Sequence, residues 1–225
     1  MLDITKKIVM ALGIDPVSES LWSGGDIAKQ YAAFNDAGVE CEVGEFLYAM
    51  ARVLKPKNVL ETGTHQGIGA MYLAQALQDN GFGLLDTLEF ISEHYHEADR
   101  RFTKAGFKPW IRNVEADVTK WNPEPDARYK LVLLDTEPQL RFAELVRFYD
   151  YVLPGGFIFI HDLNGHMGQV DNSEHGFAWP WGRLPNVIKD YVRRDMLRPF
   201  HFATPRGLSG FYKVDEQVDY KWGQA

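Results

Sequence analysis

Residues 60–70 read LETGTHQGIGA, and the fold turns on how this stretch is read. An acid, Glu61, follows an apolar run, and Gly63, Gly67 and Gly69 come within the next eight positions. A buried strand gains nothing from a carboxylate at its end, and a helix gains nothing from glycines at its start. The combination reads as strand, tight turn and helix, with something approaching the backbone at the turn. Glycine there admits positive φ and a close neighbour, and the first turn of the following helix offers free N–H groups to a nucleotide or an amino-acid carboxylate. The loop runs G-x-x-x-G-x-G, which departs from the G-x-G-x-x-G of dinucleotide binding.

Outward from this stretch, strands and helices alternate. Residues 43–54 place Val43, Phe46, Leu47, Met50, Val53 and Leu54 at helical spacing, and Pro56 stops that helix. VLET (59–62) is a short buried strand, and GAMYLAQALQ (69–78) is helical again. GLLDTLEF (83–90) is the second strand. SEHYHEADRRFTKAG (92–106) is an amphipathic helix closed by Gly106. WIRNVEAD (110–117) and YKLVLLD (129–135) are the third and fourth strands, ELVRFYDYVL (144–153) is a helix, and PGG turns the chain into a fifth strand, FIFIHD (157–162). LPNVIKDYVRR (184–194) is a helix with Pro185 near its start, and PFHFATP and GLSGFYKV close the chain as a strand pair. This order predicts an α/β fold: a doubly wound, mostly parallel seven-stranded sheet with helices on both faces and an antiparallel last strand. Ligands of such sheets bind at the carboxyl ends of the strands, where this chain puts Glu61, Glu89, Asp117, Asp135 and Asp162.

The 225 residues fit one domain, with residues 1–42 as an N-terminal helical cap and residues 163–183 as a lid loop over the site. Hydrophobic residues make up 45%, enough for a full core. With 31 acids against 24 bases the net charge is −7, which suits neither nucleic acid nor an anionic surface. The single cysteine, Cys41, excludes an internal disulfide, and the apolar run IVMALGI is too short for a membrane span, so a cytoplasmic protein is expected.

VLETGTHQG resembles the first motif of class I S-adenosylmethionine-dependent methyltransferases, and the resemblance extends over about residues 40–165. It implies that Glu61, Gly63, Thr64 and Gly67 hold the methionine part of the cofactor, with His65 as a shelf beside it. It implies that Glu89 holds the ribose hydroxyls, Asp86 being the weaker alternative, that Asp117 and Val118 flank the adenine, and that Asp135 also contacts the cofactor. The helix before the first strand narrows the likeness to the catechol, caffeoyl-CoA and macrocin-type O-methyltransferases. In those groups acids after strands four and five hold a divalent metal; the matching residues are Asp135 and Asp162. Mg²⁺ takes hard oxygen ligands and lowers the pKa of a bound hydroxyl. The catechol group follows its second acid with Asn, whereas this chain reads HDLN, so Asn164 is an offset third ligand. Glu137 is a further candidate as ligand or base, and His161 is the general base of a metal-free version.

The implied activity is O-methylation of a small-molecule acceptor, a sugar or a phenol-like natural product. Asp135, His161 and Asp162 are its catalytic group. Phe177, Trp179 and Trp181 either stack on the acceptor ring or anchor the loop to the core, Trp22 and Tyr31 are candidates to close the same pocket, and a metal site from His166, Asp171, Glu174 and His175 matches no ligand spacing. The N-terminal helical segment is one through which the chain can form a homo-oligomer. The competing readings are a nicotinamide-dependent dehydrogenase and a binding module without catalysis.

Overall fold

A computed structural model describes residues 3–17, 31–35, 38–162, 184–202 and 204–216. The lid loop of 163–183, with Asn164, the three aromatic residues and the histidine pair, lies outside the described residues, as does Trp22.

Seven strands form one sheet in the order β3-β2-β1-β4-β5-β7-β6. They are β1 (Asn58–Thr62), β2 (Leu84–Glu89), β3 (Ile111–Glu115), β4 (Tyr129–Leu134), β5 (Val152–His161), β6 (Leu197–Phe202) and β7 (Leu208–Lys213). The first five pair in parallel, and β7 runs antiparallel between β5 and β6. Among the described residues six α-helices accompany them: α1 (Asp3–Leu12), α2 (Cys41–Leu54), α3 (Ile68–Asn80), α4 (Ser92–Lys104), α5 (Arg141–Phe148) and α6 (Asn186–Arg193). This is the expected fold class.

The apolar runs without alternation are explained by burial on both faces. Val59, Leu131 and Leu133 pack with α1, α2 and α3, through Ile8, Leu47, Leu73 and Leu77. Leu60, Val132 and Leu134 pack on the opposite side with Leu145, Phe148 and Ile188. The helix α3 is buried over its first ten residues, Ile68 to Leu77, so it has no polar face.

The boundary between α5 and β5 is shifted from the sequence reading. The helix ends at Phe148, a 3₁₀ turn covers Tyr149–Tyr151, and Val152 already pairs with Tyr129. Pro154 and Gly155, with φ of 69° at the glycine, form an irregularity inside β5, after which the register resumes at Leu131 and Phe157. Proline and glycine mark a bulge here rather than a strand start.

The strand order reverses between β1 and β4, so the loops after these two strands diverge and leave a crevice. Thr62 donates to Glu144 at 2.5 Å, and Thr136 donates to the other oxygen of the same carboxylate. One residue of α5 thereby ties the ends of β1 and β4 together beneath the crevice.

Candidate active site

The glycines of the first loop turn out to be required by the protein's own packing. Gly63 has φ of 80°, and a Cβ there would run into the backbone of Asp135 and Thr136. Gly67, with φ of 84°, caps α3, and its missing side chain makes room for the ring of Phe102. A Cβ on Gly69 would stand 2.6 Å from Oε1 of Glu61. Each glycine therefore lets another part of the chain close in, and together they bring the β1 loop, the β4 loop and Glu61 around one cleft.

About 320 Å³ of space, part of it open solvent, lies in that cleft. Its walls are Glu61, Gly63, Thr64, His65, Gln66, Ile68 and Gly69 from the loop and the start of α3, with Asp135 from the β4 end and Gly38 and Val39 from the N-terminal segment. Of the residues matched to the cofactor motif, five line it: Glu61, Gly63, Thr64, His65 and Asp135. Ile68 and Gly69, the first two residues of α3, line the same space.

Glu61 lies within β1, opposite Thr87 of β2, and is almost wholly buried. Burial pushes its carboxyl up to about 8; the 2.5 Å hydrogen bond from Thr87 opposes this, and the charges of Asp135 and Glu89 add to it. Its neutral form is thereby favoured over the ionised one. Thr64 shares its hydroxyl with Thr87 at 2.5 Å. His65 takes φ of 47°, stands edge-on to His94 at 4.4 Å, and is held below the usual imidazole range by burial and by that neighbour.

Glu89 ends β2 and braces the loop from below. It accepts the backbone N–H of His65 at 2.6 Å and of Ile91 at 2.8 Å. Asp86 has a structural place instead: Arg112 grips it with two bonds of 2.7 and 2.8 Å, and the Tyr129 hydroxyl donates to it at 2.7 Å. Asp117 and Val118 contribute nothing to the lining. Asp117 accepts bonds from Thr119, which hold its carboxyl at about 2, and pairs with Lys120, while Val118 is core beside Phe148. Glu137 is exposed, and Tyr31 is half-buried outside the lining.

Asp135 and Asp162 do converge. Ligand atoms of Asp135, His161 and Asp162 all lie within 4.8 Å of one another. The neighbours are what the sequence did not announce. Arg141, at the start of α5, puts Nη2 3.3 Å from Asp135 and 3.5 Å from Asp162. Arg206, from the loop between β6 and β7, pairs with both oxygens of Asp162 through Nε and Nη2. Glu40, just before α2, lies 2.6 Å from Nε2 of His161 and accepts the backbone N–H of Arg206 at 3.2 Å. Asp162 itself takes φ of 57°, a left-handed turn that short polar residues tolerate, and this turns the chain as β5 ends.

Two expectations, the metal ion and the histidine base, meet opposing features here. The donors at this place do not suit a magnesium ion. Mg²⁺ needs open oxygen ligands in octahedral array, yet Oδ2 of Asp162 is hydrogen-bonded to Arg206, its Oδ1 is ion-paired with that same side chain without a hydrogen bond, and a buried guanidinium stands beside both acids. His161 is not placed to act as a base either. Its ring is fully buried, with Nδ1 3.2 Å from Asp135 and Nε2 on Glu40. Burial alone would push it down, but the charges of Asp135 and Asp162 outweigh that and bring it up to about 10. An imidazolium has no lone pair to accept a proton. Glu40, Arg141 and Arg206 sit in ordinary contexts (VECEV, PQLRF and TPRG), where no local pattern marks them.

Comparison with known proteins agrees with this geometry. Residues 60–163 match a family described as "Methyltransferase domain". A protein of Mycobacterium sp. (strain KMS) named "Putative O-methyltransferase" is 30% identical over 150 residues, 64% of this chain and 66% of the relative, so the match spans just under two thirds of that protein's length. The crystal structure of the O-methyltransferase TomG from Streptomyces achromogenes, in complex with SAM, superposes with a TM-score of 0.65 at 17% identity, covering 96% of this chain and all of the other. An O-methyltransferase from Bacillus cereus, in complex with SAH, gives 0.62 at 17% identity over 79% of this chain and 83% of its own. Among the described residues no helix is long and apolar enough to cross a membrane.

Proposed function

We propose that this chain, whose residues 60–163 match a family described as "Methyltransferase domain", uses S-adenosylmethionine to methylate a hydroxyl of a small molecule, and does so without a metal ion. The observation that carries this reading is the cleft at the β1–β4 divergence, where Glu61, Gly63, Thr64 and Asp135 meet the start of α3. When bound, the cofactor supplies an activated methyl group on a sulfonium cation. The N–H groups opening α3 suit its carboxylate, and the Glu61 carboxyl suits its positive charge. Glu89 keeps the loop in shape and has lone pairs left for the ribose hydroxyls.

Of the two acids lining the cleft, Glu61 is the more enclosed and favours its neutral form. Asp135 is the one for the acceptor: its side chain is 12% exposed and is fixed from behind by Arg141 and His161. It accepts the hydrogen bond of the acceptor hydroxyl, orients that oxygen in line with the methyl group, and takes up the proton released as the ether forms and the sulfonium leaves as a thioether. Methyl transfer is an in-line displacement, so fixing the attack geometry is a large part of catalysis. The O-methyltransferase likeness supports a hydroxyl as acceptor, and a sugar or phenol-like hydroxyl is the class we take it to be.

The test has two steps. Melting temperature is measured with S-adenosylmethionine, S-adenosylhomocysteine and NAD⁺, where a ligand at 100 times its Kd adds about 2.7 kcal/mol. Stabilisation by the first two and not by NAD⁺ is expected; stabilisation by NAD⁺ alone would return the chain to the dehydrogenases. Transfer of labelled methyl groups to sugar, phenol and amine panels, with EDTA present, then identifies the acceptor. A requirement for added Mg²⁺ would remove the metal-free part of the reading.

A further inference from the structure

We propose that Arg141 and Arg206 act as fixed cations between the ends of β4 and β5, filling the electrostatic place of a divalent metal, so that the acid pair is complete without one. The inference deepens the reading of this cleft as a methyl-transfer site. Its ground is the geometry of four side chains. Two carboxylates, Asp135 and Asp162, face two guanidiniums, and Arg141 reaches both acids from a single Nη2. Arginine remains charged at any working pH, so the set is neutral by construction. Glu40 and His161 form a further pair with no net charge whichever of them carries the proton.

Arg141 is built in rather than passing by. Its Nε donates to the Thr136 carbonyl at 2.7 Å and its Nη1 to the His161 carbonyl, so the one side chain ties the turn after β4 to the end of β5. The side chains of Arg141 and Asp162 are 4% and 6% exposed. Charges this deeply buried demand partners; take one guanidinium away and the acids need another cation. Arg141 is thus a positioning residue for Asp135, and its removal should turn a closed ion pair into an open metal site.

Mn²⁺ alone, titrated by calorimetry and by the electron paramagnetic resonance of free Mn²⁺, reads this directly. No S-adenosylmethionine is present, so the outcome is independent of whether the cofactor reading holds. Wild-type protein is expected to show no saturable binding tighter than about 1 mM. Arg141→Gln should gain one site, at least about tenfold tighter, and adding Asp162→Asn should abolish it. Circular dichroism checks folding; if Arg141→Gln does not fold, Arg206→Gln, which uncovers the same acid, replaces it with the same expected gain. Wild-type protein that binds Mn²⁺ tightly and loses it with Asp162→Asn would overturn the proposal, and so would a folded arginine variant that gains no site.

Discussion

Gly63 shows how a single position can carry both conformation and contact. Its φ of 80° excludes ordinary side chains, and the Asp135 backbone occupies the space a Cβ would need. Gly63→Ala should therefore lose about 1–3 kcal/mol of stability from backbone strain alone. Urea unfolding measures this; a cost within about 0.5 kcal/mol would mean the two loops are not in contact. At Glu61 the native state keeps a proton that the unfolded chain releases, because its carboxyl lies at about 8 instead of 4.5. Its contribution to stability is complete below pH 4.5 and declines as pH rises to 8. Glu61→Gln keeps a polar group beside Thr87 and has no proton to lose, so the stability difference between variant and wild type should widen in the variant's favour from pH 5 to pH 8. A constant difference over that range would show Glu61 to be ionised in the free protein.

Between elements, two carboxylates on the same strand do different jobs. Glu89, at the end of β2, holds the β1–α3 loop by its His65 N–H and the start of α4 by its Ile91 N–H. Glu89→Ala removes a charged acceptor from the loop and from the proposed ribose site, and should weaken S-adenosylmethionine by about 1.5–3 kcal/mol. Calorimetric titration decides, and unchanged affinity would take Glu89 out of the site. Asp86, three residues earlier, joins β2 to Arg112 of β3 and to Tyr129 of β4 across the intervening β1. Asp86→Asn should cost about 1–3 kcal/mol in unfolding free energy with cofactor affinity unchanged. A binding defect without a stability defect would reverse the two assignments.

For the whole molecule, one buried network gathers the N-terminal segment through Glu40, the ends of β4 and β5 through Asp135, His161 and Asp162, α5 through Arg141 and the closing hairpin through Arg206. Its titrating centre is His161, at about 10 in the folded protein against 6.5 unfolded. A raised histidine contributes stability that is fully present below pH 6.5 and disappears as pH rises through 10. The urea midpoint should accordingly fall between pH 7 and pH 10, as the unfolding free energy drops by up to about 1.4 kcal/mol per pH unit for this group. His161→Gln should be less stable at pH 7 and lack most of that decline. A midpoint as steep in the variant as in the wild type would place the titration elsewhere.

The succession of strands and helices, the parallel sheet and the glycine loop were legible in the sequence, because burial on two faces writes itself as unbroken apolar runs such as LVLL and FIFI. The acids at strand ends were legible too, since a buried run must end in something polar. What each acid does was not. Asp86 and Asp117 were spent on Arg112 and Thr119, and Glu61 was driven towards its neutral form, by neighbours close in space or by burial that the chain order does not display. The cations beside Asp135 and Asp162 were equally hidden: Arg141 and Arg206 are 65 residues apart and no local pattern marks either one. Local propensity and hydrophobic period act over a few residues, so one dimension suffices to read them. Charge compensation acts over a few ångströms between distant segments, and only the folded chain brings those segments together.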